Sequence, residues 1–120
     1  MARLLIVDDN AGLLALWAKL FMAAGHQVST ASNITDGAAL LRSERPQIVI
    51  TDLRLPDAGD GLDFVRTVAG ASIATDIVVI AGWPEEIRGR PEEKLITRLL
   101  SKPVHPAVLL RTVDELSRAA

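Results

Sequence analysis

The sequence contains no cysteine. This excludes disulfides, thiolate metal sites and cysteine nucleophiles, and with them a secreted domain stapled by bridges; a reducing cytoplasm is the expected setting. No apolar run approaches the ~20 residues that span a bilayer, so no membrane association is expected. The opening Leu4-Leu5-Ile6-Val7 is cut short by Asp8-Asp9, which does not suit a secretory signal. An excess of one charge sign is missing as well. Lys and Arg number 13 against 15 Asp and Glu, a net charge of −2, and there is no basic run. Binding nucleic acid requires clustered cations that displace counterions from phosphates, so no direct nucleic-acid partner is expected. The chain also lacks internal repeats, low-complexity segments and linkers.

What is present suits one compact domain. Of 120 residues, 49% are apolar and 23% charged, enough to build a core and too apolar for disorder. Short apolar runs at Leu4–Val7, Ile48–Thr51, Ile77–Ile80 and Leu99–Leu100, and a weaker one at Gln27–Ala31, suit strands. Their lack of alternation fits strands buried on both faces of a parallel sheet. Helical spacing lies between them. Leu13, Leu16, Trp17, Leu20 and Ala24 predict one face of a first helix, ended by Gly25. Ser32 or Asn33 can cap a second helix carrying Ala38 and Leu41 and stopping before Pro46. Leu62, Val65, Val68 and Ala69 mark a third. Pro84-Glu85-Glu86 reads as the first turn of a fourth, shortened or loosened by Gly89 and Pro91. Pro106–Arg118, with Val108, Leu109, Thr112, Val113 and Leu116, makes the fifth. Strand and helix alternating in this way imply right-handed crossovers, a parallel sheet and helices on both faces.

In such a sheet function gathers at the carboxyl ends of the strands. Strand one runs into Asp8-Asp9, strand three into Thr51-Asp52 and the last into Ser101-Lys102-Pro103. Each alone suits a turn, a cap or a solvated charge. Together, three crowded carboxylates repel unless a cation sits among them, and Mg2+, which takes hard oxygen ligands and keeps its waters, is the natural guest. A lysine beside that ion adds a second positive charge for a phosphoryl group. Carboxylates, a divalent ion and one fixed lysine are the parts needed to place a phosphoryl group on an aspartate.

With Leu5-Ile6-Val7-Asp8-Asp9-Asn10, then Ile48-Val49-Ile50-Thr51-Asp52-Leu53-Arg54-Leu55-Pro56, then Leu100-Ser101-Lys102-Pro103 in this order, the chain resembles a response-regulator receiver domain of two-component signalling, in the CheY-like superfamily. The resemblance covers essentially the whole chain and implies a single (βα)5 flavodoxin-like doubly wound fold, with a five-stranded parallel sheet ordered 2-1-3-4-5. It implies one receiver domain over residues 1–120, complete or the N-terminal part of a longer protein. It makes Asp52 the phosphoacceptor and Lys102 its phosphoryl contact. Asp8 and Asp9 would hold Mg2+, Asp9 more directly, with Asp52 and the Arg54 carbonyl as further ligands. A histidine kinase or histidine phosphotransfer protein would be the donor, and an output domain or downstream protein the reader, all in the cytoplasm.

The sequence departs from that family at its switch positions. The hydroxyl usual at the end of strand four is replaced by Ala81, and the aromatic usual three positions before the lysine by Leu99. The Pro56–Gly61 loop is one residue longer than usual, so Asp57 and Asp60 read as turn and cap residues, and Gly59-Asp60-Gly61 lacks the spacing of a phosphate-cradling loop. The altered fourth helix puts the family's usual output face in question. Arg54 and Trp83, two residues after Asp52 and Ala81, either shield an acyl phosphate from water or cover the edge of the crevice. His26 and His105 read as polar surface groups and Trp17 as core or half-core.

Two functions compete. One is a phosphorylation-dependent receiver that promotes its own phosphorylation and dephosphorylation without being a turnover enzyme. The other is a receiver-fold interaction module acting independently of phosphorylation, which Ala81 and Leu99 favour. The complete set of Asp8, Asp9, Asp52 and Lys102 favours the first, because acids clustered without purpose cost stability. An aspartyl-phosphate phosphatase would need a second acid two positions after the nucleophile, where Arg54 stands.

Overall fold

The computed structural model describes residues 2–54, 58–71 and 74–119. Five parallel strands, β1 (Arg3–Val7), β2 (Gln27–Ala31), β3 (Ile48–Asp52), β4 (Asp76–Ala81) and β5 (Arg98–Ser101), form one sheet ordered β2-β1-β3-β4-β5. The three central strands are the Val/Ile/Leu runs of the sequence, and they are buried almost throughout. The edge strands β2 and β5 are only partly covered, which is why their apolar runs are weaker.

Alternation along the strands divides the core between the two faces of the sheet. Leu5, Val7, Val49, Ile77, Val79 and Ala81 pack with α2 (Ile34–Glu44) and α3 (Ala58–Ala69), through Leu41, Phe64, Val65 and Val68. Leu4, Ile6, Ile48, Ile50, Val78 and Ile80 pack with α1 (Ala11–Ala23) and α4 (Pro106–Ala119), through Leu14, Trp17, Phe21, Leu109, Val113 and Leu116.

Local chemistry sets the helix ends. Asn10 caps α1 and Asn33 caps α2, each side chain accepting an amide hydrogen bond from the residue three positions on. Gly25 follows α1 in the left-handed region, with φ 95°, where a side chain would be strained. The α1 stripe differs from the expected one. The buried residues are Leu14, Trp17 and Phe21, whereas Leu16 and Ala24 are exposed and Leu13 and Leu20 are half-buried. A helix this rich in leucine offers two overlapping apolar stripes, and the aromatic pair Trp17 and Phe21 fills the space against the sheet, so packing rather than periodicity settles its rotation.

The fourth crossover also differs from a plain helix. Pro84–Glu86 and Pro91–Leu95 form two 3-10 turns. Pro91 cannot donate an amide hydrogen bond, and Gly89 sits at φ 80°, so no α-helix can run through this stretch. Ile87, between the turns, is fully buried and anchors the segment to the α2–α3 side of the core. A hydrogen-bonded ion pair from Arg66 of α3 to Glu92 holds the second turn.

Candidate phosphoryl-acceptor site

β1 and β3 are neighbours, with Val7 in register with Thr51, so the residues that follow each strand emerge together at one edge of the sheet. Asp8 is tied down twice: its amide donates to the Ala31 carbonyl at 3.1 Å, and its Oδ1 accepts from the Asn10 amide at 2.9 Å. Asn10 therefore joins the cap of α1 to the orientation of the carboxylate. Asp52, the last residue of β3, is 6% exposed. One carboxylate oxygen from each of Asp8, Asp9 and Asp52 lies within 4.8 Å of the others, with Asp8 and Asp52 buried and Asp9 exposed.

Lys102 reaches this cluster from the far side of β4. Its amide donates to the Ala81 carbonyl at 2.9 Å, continuing the β4–β5 pairing one residue past the strand. Its Nζ donates to Asp52 Oδ2 at 2.6 Å. The other carboxylate oxygen of Asp52, Oδ1, takes the Arg54 amide at 3.2 Å. Both oxygens of Asp52 are thus engaged in fixed directions.

The electrostatics are unbalanced. Burial pushes the Asp8 carboxyl above its ordinary range; the Asn10 amide and Lys102 oppose this, and the charges of Asp52 and Asp9 add to it. One ammonium does not neutralise three crowded carboxylates. The donor set is all oxygen, partly buried and open through Asp9, which suits a hard divalent cation that keeps waters. Beside Asp8 and Lys102 opens a groove of about 480 Å³, walled by Leu13, Trp17 and Val104.

The four residues singled out for chemistry, Asp8, Asp9, Asp52 and Lys102, converge. Arg54 and Trp83 meet each other: the guanidinium lies 5.6 Å from the centroid of the indole, which is 59% exposed. Ala81 is fully buried and Leu99 half-buried, so neither offers a polar atom to the crevice. His26 and His105 lie outside the cluster, each with Nδ1 accepting a backbone amide, from Ala2 and Ala107 respectively. Asp57 is outside the described residues, and Asp60 falls within the first turn of α3 rather than at its cap.

Two participants were not singled out from sequence. Glu86, read there as an acid in a helical first turn, forms an ion pair with the Arg54 guanidinium; only the tertiary approach of two loops reveals it. Gly61 packs its α-carbon against the main chain just after Asp52, where an added Cβ would lie 1.8 Å from the Leu53 carbonyl oxygen. The Gly-Asp-Gly cluster marked the position without giving that reason.

Comparison with known proteins settles the family. The model of the response regulator receiver domain matches residues 4–114. The chain belongs to that family. The receiver is 32% identical over 117 residues to protein PilH of Pseudomonas aeruginosa, covering 95% of this chain and 96% of PilH. It is also 32% identical over 123 residues to the virulence transcriptional regulatory protein PhoP of Salmonella typhimurium, covering 98% of this chain and 53% of that protein. Among solved structures, it superposes on the chemotaxis protein CheY4 of Vibrio cholerae with a TM-score of 0.83 at 29% identity, covering 97% of this chain and 98% of the other. The signal receiver domain of a LuxO repressor protein from Vibrio parahaemolyticus, at 23% identity and TM-score 0.86, shares the fold over 98% of this chain and 92% of its own. Receivers are signalling modules of two-component systems rather than turnover enzymes. None of the described helices is long and apolar enough to cross a membrane.

Proposed function

We propose that Asp52 of this receiver accepts a phosphoryl group from a histidine kinase or histidine phosphotransfer protein in the cytoplasm, changing how an output domain or downstream protein binds. The observation that carries this reading is the Lys102 Nζ at 2.6 Å from Asp52 Oδ2, beside three converging carboxylates. A carboxylate oxygen of Asp52 attacks phosphorus; the new O–P bond forms as the donor N–P bond breaks, and the imidazole nitrogen leaves with the bonding pair and takes up a solvent proton. Lys102 then faces the transferred oxygens. Asp8, Asp9, Asp52 and the Arg54 carbonyl would hold Mg2+, which supplies charge neutralisation for the transferring group when bound. Arg54 and Trp83 shield the acyl phosphate from water, slowing its loss.

The test is intact mass after incubation with Mg2+ and phosphoramidate or acetyl phosphate, with Asp52→Asn alongside. The expected result is one added phosphoryl group, lost in Asp52→Asn and without Mg2+. Replacing both Arg54 and Trp83 by alanine is expected to speed dephosphorylation several-fold; an unchanged rate ends the shielding role. The buried Ala81, which offers no hydroxyl, favours a second reading: an interaction module independent of phosphorylation. That reading predicts neither mass gain nor Mg2+ binding.

A further inference from the structure

A receiver without a hydroxyl at position 81 needs another group to sense the phosphoryl oxygens. One small cluster of side chains adjoins the Asp52 end of β3. Arg54 sits on the acceptor through its own amide, 3.2 Å from Asp52 Oδ1, while its guanidinium points away to pair with Glu86 and to lie over Trp83. Its two side-chain partners form a single unit. The Glu86 amide donates to the Trp83 carbonyl at 3.0 Å, and the Ile87 amide to the Pro84 carbonyl at 3.1 Å, so Trp83–Ile87 is one tight turn. Arg90 Nε holds the same turn by donating to the Glu86 carbonyl at 2.8 Å. Gly82 joins this turn to β4, and a Cβ there would meet no atom within 4 Å, so the glycine borders open space.

We propose that Arg54 is the phosphoryl-sensing residue of this receiver, exchanging Glu86 for the phosphoryl oxygens on Asp52 and so loosening the Trp83–Glu86 part of the turn, above the buried Ile87. The inference rests on Asp52 being the phosphoacceptor. The balance of charge drives the exchange. The Arg54 and Glu86 side chains are 52% and 33% exposed, and a pair so open to water is weak. A phosphoryl group brings close to two negative charges and three acceptor oxygens, which a guanidinium can bind through two parallel hydrogen bonds. The arm needs only to fold back over the carboxylate that its own amide already holds. Sensing then requires neither a hydroxyl at position 81 nor an aromatic ring at position 99, and the loosened turn opens the segment that replaces a fourth helix.

The two indole N–H resonances of 15N-labelled protein separate Trp83 from Trp17, with Trp83→Phe as the assignment control, while intact mass gives phosphoryl occupancy on the same sample. Loading wild type with phosphoramidate and Mg2+ is expected to shift the Trp83 resonance in proportion to occupancy. Glu86→Gln, which frees Arg54 without a phosphoryl group, is expected to place the unloaded Trp83 resonance at least halfway to the loaded wild-type position. Arg54→Ala, compared at matched occupancy, is expected to lose the loading shift. Loaded wild type with an unmoved Trp83 resonance overturns the exchange while leaving Asp52 as acceptor. So does an unloaded Glu86→Gln spectrum identical to unloaded wild type. Wild type that gains no mass overturns the acceptor assignment and the exchange with it.

Discussion

Replacing Asp8 by asparagine should make the metal-free domain more stable, although it damages the proposed site. Asn keeps the oxygen that accepts the Asn10 amide and nearly the same volume, so the substitution removes charge and little else. Three carboxylate oxygens share a space of 4.8 Å. At that separation a like-charge pair costs about 3 kcal/mol at an effective dielectric of about 20, and about a quarter of that where water screens it. Asp8 faces one buried acid, Asp52, and one exposed acid, Asp9, and gives back part of the relief by losing its attraction to Lys102. Its own burial adds to the relief. The net gain should be about 1–2 kcal/mol, or roughly 4–8 °C in Tm for a domain of this size. Mg2+ reverses the order. At about ten times its Kd it should add about 1.4 kcal/mol to wild type by mass action and much less to Asp8→Asn. Thermal melts in EDTA and across a Mg2+ series, monitored by far-UV circular dichroism, provide the check. An Asp8→Asn variant that melts lower than wild type in EDTA, or one that gains as much from Mg2+, refutes the argument that the cluster is strained and metal-seeking.

Three further outcomes follow from particular contacts. The raised pKa of Asp8 lets protons compete with metal at a higher pH than at an ordinary carboxylate, so Mg2+ affinity should fall as pH drops toward its folded pKa, while metal-free stability gains from Asp8 as pH falls through that pKa; isothermal titration at several pH values measures the first and urea denaturation in EDTA the second, with Asp8→Asn as control in each. His26 carries the opposite sign. Burial lowers its pKa, and its Nδ1 must stay unprotonated to accept the Ala2 amide, so its contribution holds above about pH 6.5 and is lost as pH falls through its folded pKa. Urea midpoints at pH 7.5 and 5.5 should differ less in His26→Ala than in wild type. Gly61→Ala should cost about 3 kcal/mol or more in chemical denaturation, because the added Cβ meets main chain at Leu53 that cannot rotate away; a loss under about 1 kcal/mol would show that α3 can shift there freely.

Much of the fold was legible because its central strands carry apolar runs too short for helices, and because Asn33, Gly25 and Pro46 punctuate the chain where hydrogen bonding and φ demand it. The site was legible for a related reason. In a parallel sheet a charge placed directly after a buried run has one place to go, so Asp8, Asp52 and Lys102 could be brought together by counting strands. The rotation of α1 was not legible, since Leu13, Leu14, Leu16, Trp17, Leu20 and Phe21 satisfy two helical stripes and only the shape of the sheet face selects one. Nor was the Arg54–Glu86 pair, which joins residues 32 apart through loops that no periodicity describes.

The short crossover between β4 and β5 divides the domain in a way that bears on how it can diverge. The acid and lysine geometry is fixed by β1, β3 and the Ala81–Lys102 backbone bond, none of which uses residues 84–95. That stretch has no long helical ladder to lose and is held by one buried apolar anchor, Ile87, the buried Glu92 paired with Arg66, and a few exposed side-chain bridges. Its surface can therefore be rewritten residue by residue, to suit one reader or another, at little cost to the strands that position the chemistry. A receiver built this way separates the part that must stay the same from the part that is free to specialise, and the boundary between them falls at Gly82.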